Sequence, residues 1–305
     1  MKNYKHKFMM TCLIMILLVG CSSGGNDEPT SPIPEPPFSL KIPITLNCGV
    51  SVVTRATDTG YDSGDKIGLY IVNYNGNTAG SLMQSGNYVD NMCFTYDGKW
   101  TPTSPIYWKD ETTPADFYCY FPYGTPGNLE AYPFSVKEDQ STLANYKASE
   151  FLYGKANKIS PTENAVNIST KHLFSCILIK VEAGNGFTTE SLAAASVSVK
   201  INGVKNEASI NLKDGTVSAT GTPKTIQALK EAGTYKALIV PQSISADDLI
   251  TVTVDGKEYN LKKEFTFVSA KRHLFTVTAS KTSNGINVGI TAWEDDDMDN
   301  GGTAE

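Results

Sequence analysis

Two positions near the amino terminus carry residue types that a processing enzyme can act on. Cys21 closes an apolar run of 12 residues, Phe8 to Val19, that follows Lys2, Lys5 and Lys7. A run of that length is too short to cross a bilayer as a helix, and with its basic flank it reads as a secretion signal. Leu18, Gly20 and Cys21 resemble a lipobox, in which the cysteine sulfur takes a diacylglycerol before cleavage; the alternative is an ordinary secretory peptide with an incidental cysteine. The second position is Arg55, a lone cation in VSVVTRAT, ahead of Ala56 and the turn-prone DTGYDSGD. It is either a solvated charge at a strand end or the carboxyl side of a scissile Arg55–Ala56 bond.

Other chemistry has little foothold. Beyond the signal the histidines are His172 and His273, and neither stands at a metal-ligand spacing; no G-x-S-x-G, H-E-x-x-H or phosphate-cradling loop occurs. No enzyme activity, cofactor or metal is expected. Asp295, Asp297 and Asp299 alternate like the start of a calcium loop, yet Asn300 stands where that loop needs glycine. Cys48, Cys93, Cys119 and Cys176 have apolar neighbours and no CxxC spacing, so they read as small buried hydrophobes, with a disulfide left open. The formal net charge of −6 becomes about −9 once Lys2, Lys5 and Lys7 leave with the signal, and no basic stripe exists for nucleic acid.

The elements around these positions are strands. Residues 26–37, NDEPTSPIPEPP, hold five prolines and form a stiff tether. In FSLKIPITLN, Phe38, Leu40, Ile42, Ile44 and Leu46 share one face, and Pro43 on the other face predicts an edge strand or a bulge. Asn-Gly or Asp-Gly pairs at 75–76, 97–98, 185–186, 202–203, 214–215, 255–256 and 284–285 predict hairpins. Short helices are expected at 140–150, 190–196 and 225–233, the last closed by Gly233. The segment FYCYF is apolar throughout, as suits a central strand covered on both faces. The fold class is all-β, and polar 155–165 with Pro161 is the expected boundary between two strand-rich halves.

Several stretches together resemble the fimbrillins of type V pili in Gram-negative anaerobes, more closely the fimbrillin-like branch. They are TRAT at 54–57, GDKIGLYI at 64–71, Tyr107-Trp108, FYCYFPYG at 117–124, DQST at 139–142, SEFLYG at 149–154, VNISTKHLFSCILIKV at 166–181, ALIVPQSI at 237–244 and Trp293. Cys119 departs from the small residue more usual in the family.

The resemblance implies two tandem transthyretin-like β-sandwich domains: signal peptide 1–20, lipidated tether 21–37, domains 38–160 and 161–305. It further implies an outer-membrane lipoprotein precursor held by lipid on Cys21. An arginine-specific surface protease would then cut at Arg55–Ala56, and the first strand (Phe38, Leu40, Ile42, Ile44, Leu46) would leave with the leader. Other fimbrillin-like subunits are the implied partners, with a host or bacterial surface ligand for an adhesive member. The last strand, with Ile286, Val288 and Ile290 alternating, is the candidate donor to the vacated groove. The rival reading is a monomeric surface lipoprotein binding glycan or a host ligand, with Tyr107, Trp108, Tyr118, Tyr120 and Tyr123 as a sugar-stacking platform; it requires some of those rings at the surface.

Overall fold

The computed structural model describes residues 41–50, 60–280 and 289–293. They form an all-β architecture with two short helices. The first half supplies β1 (Leu46–Val50), β2 (Lys66–Asn73), β3 (Val89–Tyr96), β4 (Trp100–Pro102), β5 (Ala115–Phe121) and β6 (Tyr132–Ser135). Then come α1 (Leu143–Lys147), β7 (Leu152–Ile159), β8 (Val166–His172), β9 (Ser175–Ala183) and α2 (Thr189–Ala194). The rest is β10 (Val197–Asn211), β11 (Thr216–Gln227), β12 (Leu229–Glu231), β13 (Thr234–Ile239) and β14 (Gln242–Val254). β15 (Lys257–Phe267), β16 (Arg272–Ala279) and β17 (Gly289–Trp293) end it.

A seven-stranded sheet runs β1-β8-β7-β5-β2-β3-β4. Its central strands are buried on both faces, as the apolar FYCYF segment predicts. Ile67, Leu69, Phe117 and Cys119 enter one core with Ile44 and Leu46, whereas Tyr70, Tyr118 and Tyr120 enter a second core. The sheet curls so that its outer strands meet: the Trp100 indole on β4 donates to the Cys48 carbonyl on β1 at 2.8 Å. Two further sheets, β11-β10-β14-β15 with β6 on β10, and β12-β13-β9-β16-β17, sandwich the second core. Val199, Ile250 and Val252 face it from one sheet, and Ile177, Ala237 and Phe275 belong to the other.

Several expectations change in place. The 155–165 stretch, the expected boundary, carries the end of β7 and the connection to β8, which pair in one sheet. The change of sheet comes between His172 and Ser175, and β6 crosses to pair with Glu207–Ile210 of β10. Residues 225–233 are strand, not helix, because Leu229–Glu231 pairs with Thr234–Lys236. Ala232 and Gly233, with φ of 47° and 83°, make the hairpin turn that the primed turn geometry demands. Asn202-Gly203 is no hairpin either. β10 runs through it with a register shift between Ile201 and Val204, and the Asn202 amide is held by the Asp248 carbonyl and the Thr251 hydroxyl. Asn185-Gly186 lies between β9 and α2, and Asn75-Gly76 makes a local turn closed on Thr78. The Asp-Gly pairs at 97–98, 214–215 and 255–256 join β3–β4, β10–β11 and β14–β15 as expected. The helices expected at 140–150 and 190–196 are α1 and α2, both capped by threonine.

Candidate functional site: the first strand and its seat

The site is the segment 41–50 and the surfaces that hold it. Its alternation produces a strict inside-outside order: Ile44, Leu46 and Cys48 are buried, Ile42 and Val50 half-buried, and Lys41, Pro43, Thr45, Asn47 and Gly49 exposed. Phe38 and Leu40 lie outside the described residues. β1 is an edge strand, in keeping with Pro43 on the outward side.

Two partners share the segment. Around Pro43 it bridges antiparallel to Tyr107: Ile44 N–H donates to Ile106 O and Trp108 N–H to Ile42 O, each at 2.9 Å. From Thr45 onward it changes partner. Val166 N–H donates to Thr45 O at 2.8 Å, and β1 continues parallel to β8, from Leu46 opposite Val166 to Val50 opposite Thr170. Side chains reinforce that lane, with Asn47 Nδ2 donating to Asn167 Oδ1 at 2.7 Å and Thr170 Oγ1 to Gly49 O at 3.1 Å. The parallel partner and the 106–108 rail are the features sequence reasoning missed. Continuation of the alternation through Cys48 was readable; the choice of β8, about 120 residues away, carries no local signal.

Inside the sheet, Cys48 Sγ lies 3.7 Å from Cys119 Sγ on β5 and 3.8 Å from the Tyr61 hydroxyl, which in turn bonds Thr170 Oγ1 at 2.8 Å. Hydrogen bonding from the Cys119 thiol lowers the Cys48 pKa against the upward push of burial, with Tyr61 and Thr170 assisting. The Cys119 thiol is pushed up by its role as donor to Cys48 and by burial. All four described cysteines are free thiols; Cys48 and Cys119 are buried, and Cys93 and Cys176 half-buried.

Arg55 and Ala56 fall in 51–59, and Cys21 in 1–40, outside the described residues. Of the candidate donor residues, Ile286 and Val288 also lie outside them. Ile290 belongs to β17, paired antiparallel on β16 opposite Val277. First strand and candidate donor therefore sit in different sheets of one chain.

The acidic tail from Glu294 is likewise outside the described residues; among those described, no group of three metal-ligating side chains is clustered. His172 Nδ1 stands 3.0 Å from Glu150 Oε1, and His273 is buried edge-on to Phe265. Of the five aromatics of the rival reading, Trp108, Tyr118 and Tyr120 are buried, and Tyr107 and Tyr123 are at the surface. The continuous apolarity of β5 accounts for the burial of Tyr118 and Tyr120, which lie in the second core.

Comparison with known proteins bears on the whole chain. The fimbrillin-like family profile matches residues 54–293. A Bacteroides uniformis protein provisionally named fimbrium subunit Fim1C is 26% identical over 309 residues, covering 95% of each chain. A crystal structure provisionally described as a cell adhesion protein from Bacteroides uniformis superposes with a TM-score of 0.63 at 23% identity, covering 83% of this chain and 98% of the other. A second such structure, from Bacteroides ovatus, gives 0.65 at 19% identity, covering 84% and 96%. At those identities the structural likeness speaks for the fold.

Proposed function

The chain belongs to the fimbrillin-like family, and from that premise we propose that it is a fimbrium subunit that polymerises by exchange of its first strand. It is exported as a lipoprotein, carries lipid on Cys21 and is held at the outer membrane until an arginine-specific protease cuts Arg55–Ala56. The leader through Arg55 then departs, taking β1 with it.

The observation that carries this reading is the seating of 41–50 on a sheet edge with Ile44, Leu46 and Cys48 turned inward. Burying Ile44 and Leu46 alone stabilises the sheet by roughly 3–6 kcal/mol, an upper bound on extended-chain accounting. That is a large share of the about 5–15 kcal/mol that holds a typical domain together. Loss of the strand bares the Val166–Thr170 edge of β8 and the 106–108 rail, a lane that another strand can refill by backbone pairing. A strand from the next subunit fits it, with Ile286, Val288 and Ile290 as the inward residues. Because β17 is paired with β16 in cis, donation requires that end of the chain to leave β16. Donor and lane are different surfaces, so the contact repeats without closing and a filament results. The role is structural and adhesive, not catalytic.

The test is amino-terminal analysis of surface-exposed protein recovered from cells. A start at Ala56 on polymerised copies supports the reading. Lipidated Cys21 on every copy, polymerised or not, refutes it.

A further inference from the structure

We propose that Cys48 and Cys119 form a dithiol modification site: a small-molecule disulfide oxidises the pair, and the new bond ties the first strand to β5 so that it cannot be exchanged. The inference rests on the strand-exchange reading for its consequence, but not for its chemistry.

Position gives the pair its meaning. Cys48 lies on β1, upstream of Arg55, whereas Cys119 lies on β5 at the middle of the seven-stranded sheet. The two are 71 residues apart in sequence, and their sulfurs are 3.7 Å apart in the core. A disulfide brings the two sulfurs to roughly 2.0 Å, so oxidation draws the strands that carry them together inside the shared core. A bond there bridges the predicted cut. After Arg55–Ala56 is hydrolysed, the leader ends at Arg55 but remains covalently attached through Cys48, with β1 still in its lane.

The surroundings divide the labour between the sulfurs. Cys48 accepts a hydrogen bond from the Cys119 thiol, which favours its thiolate; Cys119, fully enclosed, keeps its proton longer. Cys48 releases its proton to solvent, and the resulting thiolate attacks one sulfur of the small disulfide, forming a mixed disulfide and expelling one thiolate. That thiolate takes the Cys119 proton. The Cys119 thiolate then attacks Cys48 Sγ, forming the internal bond and expelling the second thiolate, which is protonated from solvent. Two electrons pass from the protein thiols to the small disulfide, which leaves as two thiols. Both sulfurs are buried, so the exchange proceeds when the β1 edge lifts or before it docks.

The experiment uses the full-length precursor, reduced and then equilibrated with oxidised glutathione. Free thiols are capped with N-ethylmaleimide, and the protein is digested with trypsin under denaturing conditions. The expected product joins peptide 42–55 to peptide 110–137, each with a single cysteine, and disappears with dithiothreitol. It persists in a Cys93→Ala/Cys176→Ala variant and is lost in Cys119→Ala. In a second arm, native precursor is treated with an arginine-specific protease. Reduced protein releases the fragment ending at Arg55, and oxidised protein retains it until reductant is added. Capping of both peptides without linkage, or glutathione left on Cys48 alone, overturns the dithiol site. Equal fragment release from linked and reduced protein overturns its consequence. If linkage forms but reduced, cleaved protein never makes fibres, the dithiol chemistry stands and the strand-exchange reading falls. If fibres grow and no linkage forms, the reverse holds.

Discussion

Trp100 Nε1 donates to the carbonyl of Cys48 at 2.8 Å, joining the two outermost strands of a seven-stranded sheet. Five strands, β8, β7, β5, β2 and β3, lie between them in that sheet, so the bond is a clasp across its open seam and not part of any ladder. Trp100→Phe keeps a ring in the core and removes the donor. The expected loss is about 0.5–1.5 kcal/mol, with faster amide hydrogen exchange across 46–50 than the global loss accounts for. Exchange slowed or unchanged at those amides argues against the clasp.

Substitutions along the first strand should alternate in severity. Ile44→Ala and Leu46→Ala each remove a buried aliphatic side chain and should cost about 2–5 kcal/mol in urea unfolding. Lys41→Ala and Thr45→Ala, on the exposed side, should stay within about 0.5 kcal/mol. A flat profile across the four would mean that the strand does not seat one face in the core.

Arg55→Ala should leave the leader attached and the cell surface bare of fibres, with normal amounts of precursor. Electron microscopy and the intact mass of the mature form are the readouts. Wild-type fibres from this variant would place the cut elsewhere.

Gln140 is fully buried beside β13, where its Oε1 accepts from Leu238 N–H at 2.8 Å and its Nε2 donates to Leu238 O at 2.9 Å and Lys137 O at 3.1 Å. It acts as a one-residue strand, satisfying the outer edge of β13 ahead of α1. Gln140→Ala should destabilise by about 1–3 kcal/mol for each backbone group left without a partner. Thermal unfolding measures it.

Asp110 shapes the turn before β5. The Thr113 hydroxyl, with the amides of Thr112 and Thr113, holds its carboxyl well below the usual carboxylate range. A depressed folded pKa contributes stability that is complete above the unfolded value of about 4 and is lost as pH falls toward the folded one. Wild type should therefore lose stability on acidification through that window more steeply than Asp110→Asn. Identical slopes would show that the turn does not favour the charged carboxyl.

Much of this was legible because period and composition act locally. Ile42, Ile44 and Leu46 announce a one-sided strand, Pro43 an edge, and FYCYF a strand with two covered faces. TIQALKEAG misleads for an equally physical reason: Ala, Leu, Lys and Glu favour helix, but pairing with β13 and a turn at Ala232-Gly233 override that weak preference. Asn202-Gly203 misleads because the same dipeptide serves a bulge as well as a hairpin. What no local rule supplies is long-range choice. That β1 runs beside β8, that Trp100 closes the seam and that Cys48 meets Cys119 are all settled by how the sheet curls.

The parallel alignment of Leu46 with Val166 also sets a timetable for folding. A chain that emerges amino end first presents β1 early, yet its partner β8 follows only after some 120 further residues. Through that interval Ile44 and Leu46 have no permanent resting place, and pairings of such high contact order form slowly. A chain at that stage carries an apolar strand whose berth has still to be built.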